Sequence, residues 1–150
     1  MKVALDTNIL AYAEGVNGAA MKTAALDLVR RLPQASVVLP IQTLGELFQV
    51  LMRKAGRSPV RARAAILSWR DAFVLMETSG EVMLAAADLA VHHQLGIWDA
   101  VILSAAAEAD CRLLLSEDMQ DGFIWKGVTI VNPFARARHP LLDALLDQEP

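Results

Sequence analysis

Apolar positions along the chain follow two rhythms. Short, nearly continuous apolar runs alternate with longer stretches in which apolar residues recur every three or four positions. Residues 2–5, KVAL, are the first short run; they read as a buried strand that leads straight into Asp6. Residues 7–13 suit a short helix or turn. In residues 21–32, Ala25, Leu28, Val29 and Leu32 keep helical spacing until Pro33 ends the pattern. Residues 36–39 are β-rich and stop at Pro40, a second strand. A helix is expected over 42–55 with Gly56 as its stop, and another from Pro59 to about Phe73. Residues 74–77 form a third short run, and a helix over 79–94 closed by Gly96 follows it. Residues 97–110 make the most apolar helix, and 112–115 and 128–131 are the last strands. Strands alternating with helices predict an α/β fold, a three-layer α/β/α sandwich around a mainly parallel central sheet.

Composition narrows this picture. The 150 residues suffice for one compact domain with a real core, and the 55% hydrophobic content with only 5% aromatic content leaves Ala, Leu and Val to fill it. The domain is expected over residues 1–132. The tail, residues 133–150, breaks at Pro133 and Pro140 and ends in a short amphipathic LLDALLD suited to packing on the domain, joining a dimer or staying mobile. Asp99 interrupts the longest apolar run and Glu108 closes it, so no membrane span is expected. Asp6 falls where a secretory leader needs unbroken apolar residues, and the single Cys111 suits a reducing, cytoplasmic compartment. A net charge of -3 disfavours indiscriminate polyanion binding. Yet Arg53, Lys54, Arg57, Arg61, Arg63 and Arg70 place six of the 14 basic residues in one stretch, which is either a solvated helix face or a local phosphate-holding patch.

In a parallel sheet the ligand crevice lies beyond the carboxyl ends of the strands. That rule selects Asp6 after the first strand, and Ser116, Glu117, Asp118 and Asp121 after RLLL. Such residues also serve as ordinary helix caps. Asn8 stands where it can orient Asp6 by hydrogen bonding. Glu46 belongs to a polar stripe with Gln42, Gln49 and Arg53 on the helix after the second strand, close to the same edge. Asp99 is the only charged residue within 97–107, either a helix-start acid worth about 0.3–1 kcal/mol or a functional carboxylate.

Gathered at one sheet edge, these carboxylates repel, and a divalent cation is the usual physical remedy. Oxygen donors without a neighbouring His or Cys favour one or two Mg2+ or Mn2+ ions over zinc; the adjacent His92 and His93 point to different helix faces. Ions held in this way activate water and stabilise the leaving oxygen in phosphodiester cleavage, so the chemistry expected is nucleic-acid hydrolysis. A receiver-like Mg-binding signalling domain needs a paired acid after the first strand and a Lys after the last. An aspartyl phosphatase needs an Asp where Asn8 stands.

The ordered set LDTNIL, LGELFQV, IWDAVILSAA and LLSEDMQDG resembles the acidic motifs of PIN-domain ribonucleases over residues 1–131, and the two late motifs are similar to VapC-type toxins of bacterial toxin-antitoxin pairs. The resemblance implies a PIN-like fold and a metal-dependent endoribonuclease. It implies that Asp6, Glu46, Asp99 and Asp118 are the catalytic and metal-binding acids, with Asp121 auxiliary. Thr7, Asn8 and Ser116 are implied in support, and Arg53, Arg57 and Arg61 become candidate RNA contacts. An RNA substrate, a cognate antitoxin protein and a homodimer are the partners it implies. A catalytically silent PIN-like module that binds RNA or protein is the alternative.

Overall fold

The computed structural model describes residues 1–148. Residues 149 and 150 of the expected tail lie outside the described residues. The chain runs β1 (Lys2–Leu5), α1 (Thr7–Ala13), α2 (Ala19–Arg31), β2 (Val37–Pro40), α3 (Ile41–Arg53), α4 (Pro59–Ala72), β3 (Val74–Met76), α5 (Gly80–His93), α6 (Ile97–Glu108), β4 (Cys111–Leu115), β5 (Ile124–Trp125), β6 (Val128–Val131) and α7 (Pro140–Leu146). The strands form one six-stranded sheet in the order β3-β2-β1-β4-β6-β5, parallel except for the β5–β6 pair.

Period-two alternation divides the core between the two faces of this sheet. Val3, Leu5, Val37, Leu39, Leu113 and Leu115 point to one side and pack with α1 to α4 and α7. Ala4, Val38, Leu114 and Ile130 point to the other and pack with α5 and α6. The result is the α/β/α sandwich expected from the alternating pattern.

Several boundaries differ from the sequence reading. α2 starts at Ala19, before Met21, with Gly18 at its N-cap in a conformation (φ 93°) that suits glycine. α5 ends at His93 because Gln94 turns left-handed (φ 55°); Gly96 is the N-cap of α6 and not the stop of α5. Strand β5 has no counterpart in the sequence reading. It is the edge arm of a hairpin whose two-residue turn, Lys126 and Gly127, has positive φ at both positions (46° and 80°), as a twisted tight hairpin requires. In the tail, His139 caps α7, and Leu142 and Leu145 are buried in the α1–α4 core.

The order of strands positions the site. After β1 the chain moves outward to β2 and β3 on one side, then returns to β4 on the other, so the direction of winding reverses between β1 and β4. At such a switch point the flanking loops diverge and leave a crevice beyond the carboxyl edge. β1 delivers Asp6 to this crevice and β4 delivers Ser116.

Candidate active site

Asp6 leaves β1 with its backbone N–H donating to Leu115 O at 2.9 Å, and Ser116 leaves β4 donating to Val131 O at 3.0 Å. The sheet ladder therefore continues through both residues and fixes their direction. The Asp6 carboxylate N-caps α1, accepting from Thr7 N at 2.7 Å, and also accepts from Ser116 Oγ at 2.7 Å and Asn8 Nδ2 at 3.3 Å. It is 4% exposed, and its pKa is pushed up to about 6, first by burial and less by Asp99 and Glu46; the hydrogen bonds from Ser116 and Thr7 oppose the rise. A cap alone accounts for the bond to Thr7. It does not account for a buried acid held against two further acids.

Glu46 comes from the second turn of α3, whose Leu44, Leu47 and Leu51 face the core. Both its oxygens are engaged: Oε2 accepts from Thr7 Oγ1 at 2.5 Å and Oε1 from Gln42 Nε2 at 3.3 Å. Asp99 arrives from the opposite layer, in the first turn of α6, where residues Ala100 to Ala106 are buried while Asp99 itself is exposed at the helix mouth. The protein beside it removes part of its hydration and raises its pKa, and Glu46 and Asp118 raise it further. Helices on both faces of the sheet thus bring acids to one edge.

Asp118 follows β4. In the SED segment, Glu117 is held by Tyr12 Oη at 2.8 Å and by its own N–H to Asn8 Oδ1 at 3.3 Å, and Ser116 Oγ accepts from Met119 N at 3.2 Å. That turn leaves Asp118 exposed on the wall of a groove of about 940 Å³, which Thr7, Asn8, Tyr12, Glu46, Arg53, Lys54 and Trp98 also line. The Tyr12 hydroxyl is pushed up to about 12, by burial first and then by Glu117, so it stays a donor.

Other predicted residues go elsewhere. Asp121 accepts from Asn132 N at 2.9 Å, bridging the segment after β4 to the end of β6, and has no charge coupling to the other acids; of those acids Glu46 and Asp118 line the groove itself, whereas Asp6 and Asp99 stand behind its lining. Arg57 is committed to Glu14, through its carboxylate and its backbone carbonyl, both at 2.8 Å. Arg61 is exposed on α4 away from the groove, whereas Arg53 lines it. Sequence reasoning gave no site role to Gln42, Tyr12 or Trp98. The signal for the first two was present: Gln42 precedes Glu46, and Asn8 precedes Tyr12, by one helical turn on one face.

Among the described residues, no three His, Cys, Asp or Glu side chains converge tightly enough to form a ready-made metal cage. Glu46 and Asp118 line the groove instead, and Asp6 and Asp99 are coupled to them and to each other by charge. An oxygen-only donor set with strained, unneutralised carboxylates fits a hard divalent cation. No described helix is long and apolar enough to cross a membrane.

A parallel α/β sandwich with acids at the winding reversal defines a class of carboxylate-bearing edge-site proteins. The PIN domain model matches residues 3–120, a segment holding Asp6, Glu46, Asp99 and Asp118, and the chain belongs to the PIN domain family. No curated protein sequence matches it. Among solved structures it is similar to Mycobacterium tuberculosis VapC20, described as a sarcin-ricin loop cleaving toxin, at 19% identity and a TM-score of 0.66 over 78% of this chain and 90% of that one. It is similar to a chain of a toxin-antitoxin complex from Klebsiella pneumoniae at 22% identity and a TM-score of 0.66, over 89% and 98% of the two chains. A third likeness is to VapBC2 from Rickettsia felis bound to a fragment of its promoter DNA, at 14% identity and a TM-score of 0.63, over 87% and 97%.

Proposed function

We propose that this chain is a Mg2+- or Mn2+-dependent endoribonuclease, the toxin of a toxin-antitoxin pair that acts in the cytoplasm. The reading rests on one observation above the others. Buried Asp6, from β1, is coupled by charge to Glu46 from one helical layer and Asp99 from the other, and Asp118 is coupled to Asp99. Family membership and the toxin structures named above support it.

In this mechanism Asp6, Glu46, Asp99 and Asp118 would hold one or two divalent ions. When bound, such ions supply a water nucleophile at neutral pH and stabilise the leaving oxygen of an in-line displacement. The chain's own work is positioning. Ser116, Asn8 and the Thr7 N–H fix the rotamer of Asp6, while Thr7 Oγ1 and Gln42 hold Glu46 with its carboxylate toward the groove. Glu117, tied to Tyr12, keeps the following residue, Asp118, on the groove wall. Arg53 lines the same groove and is the candidate phosphate contact. A cognate antitoxin covering this groove, and a homodimer of the chain, complete the proposed assembly.

The test is cleavage of structured RNAs by the purified chain with Mg2+, with Mn2+ and with chelator. Cleavage appears with either metal and is lost in chelator. D99N, which keeps the shape and removes the charge, lowers the rate at least about a hundredfold while the circular dichroism spectrum is kept. Equal cleavage by D99N, or cleavage indifferent to chelator, refutes the assignment. The alternative, a silent RNA-binding module, would bind RNA equally in chelator and release no product.

A further inference from the structure

Tryptophan buries a large apolar area when it leaves water, and an exposed one lining a polar groove offers a flat face for stacking. Trp69 is buried in the core, and Trp125 is half-buried with the Lys126 ammonium over its ring. Trp98 differs: it is 53% exposed, lies beside the exposed Ile97 in the first turn of α6, and lines the same groove as Glu46 and Asp118. It immediately precedes Asp99, so an aromatic face and a catalytic acid leave one helix turn together.

The rest of the groove identifies the occupant. Arg53 and Lys54 line it, and among the described residues neither side chain has an acidic partner. Arg53 is seven residues from Glu46 on α3, about 10 Å along the axis and on the same face. Cations without acidic partners, two acids and an exposed aromatic face lining one groove suit a polyanion with planar, unpaired bases. A basic peptide would find the acids attractive, and Arg53 and Lys54 repulsive.

We infer that Trp98 is a substrate-positioning residue, the platform on which one unpaired base of a single-stranded RNA stacks beside the cleaved phosphodiester, with a neighbouring phosphate held at Arg53. The inference rests on the ribonuclease reading and assigns to that site one base-holding residue, Trp98. Base-on-aromatic stacking is tolerant of sequence, so this contact selects unstacked bases over paired ones.

The test uses wild type, W98A and W98F with a labelled single-stranded RNA that wild type cleaves once, and with the same RNA carrying one abasic residue at each position flanking the cut. One abasic position raises the wild-type KM about 5- to 150-fold. W98A shows that rise with intact RNA, adds nothing at the abasic position and keeps kcat within about threefold, and W98F recovers most of the affinity. Unchanged KM in W98A, or abasic sensitivity equal to that of wild type, overturns the inference, as does a fall in kcat alone, which would mark Trp98 as a support for Asp99. Altered self-association of W98A with RNA cleavage intact also overturns it, because protein then covers the ring. Should W98A misfold, W98F and the abasic scan on wild type decide the matter. A wild type that cleaves no RNA overturns the ribonuclease reading separately, and the same oligonucleotides then test stacking through Kd.

Discussion

Replacing Asp6 by Asn removes a charge that burial opposes, and the structure says what that should do to stability. The carboxyl titrates at an ordinary 3.8 when unfolded and at about 6 in the fold. At about 1.4 kcal/mol per pH unit, this gap amounts to about 3 kcal/mol. The sign follows from proton binding. Between these two values the folded chain holds a proton that the unfolded chain has lost, so stability falls as pH rises through that window and is flat above it. D6N has no such charge and so no such slope. At about 2–4 °C per kcal/mol for a chain of this size, D6N in chelator melts about 6–12 °C above wild type near pH 7. The amide sets a donor against those of Asn8 and Ser116, which pulls the gain toward the lower end. Melting curves recorded from about pH 4 to 8 provide the test, the two proteins converging at the acid end. Curves that stay parallel across the whole range would falsify the claim that Asp6 is held against its charge. Added Mg2+ should stabilise wild type and leave D6N unmoved, since the ion supplies the compensation that the mutation makes unnecessary.

Two further expectations separate scaffold from site. R57A loses a two-point contact to Glu14 that is largely shielded from solvent, costing about 1–2 kcal/mol. Its Tm drops while KM for RNA holds; R53A does the reverse, and an R57A whose KM rises at constant Tm would show that Arg57 contacts RNA. L145A opens a cavity under α7 where Leu145 is fully buried, costing about 2–5 kcal/mol. A Tm within a degree of wild type would mean that α7 contributes nothing to the domain core.

The layer order was legible because strands and helices impose different periods, and the sheet-edge rule needs only the strand ends to select acids. Short range set the limits. Gly96 looked like a helix stop, yet Gln94 adopts the left-handed conformation first, and composition alone cannot say which residue will accept that strain. Strand β5 was invisible because two residues carry no rhythm, and because Lys-Gly is a weaker turn signal than Asn-Gly. Among the basic residues, sequence could count charges but not partners. Glu14 claims Arg57 across 43 positions, and nothing local announces it.

The same distinction explains why the acids differ in character. Asp6 is buried and braced by a Ser, an Asn and a backbone N–H, whereas Asp99 and Asp118 are exposed, Asp118 on the groove wall. A site made wholly of buried acids would weaken the fold by several kcal/mol, because each unpaired carboxylate loses its hydration. One made wholly of exposed acids would leave every ligand free to rotate. With a single buried anchor at the winding reversal, one direction is fixed by the sheet itself, and the outer acids keep part of their hydration. The apolar run through α6 serves this arrangement. Ala100 to Ala106 fasten the helix into the core, so Asp99, outside that core and next to the groove-lining Trp98, is held at a set position and still faces water.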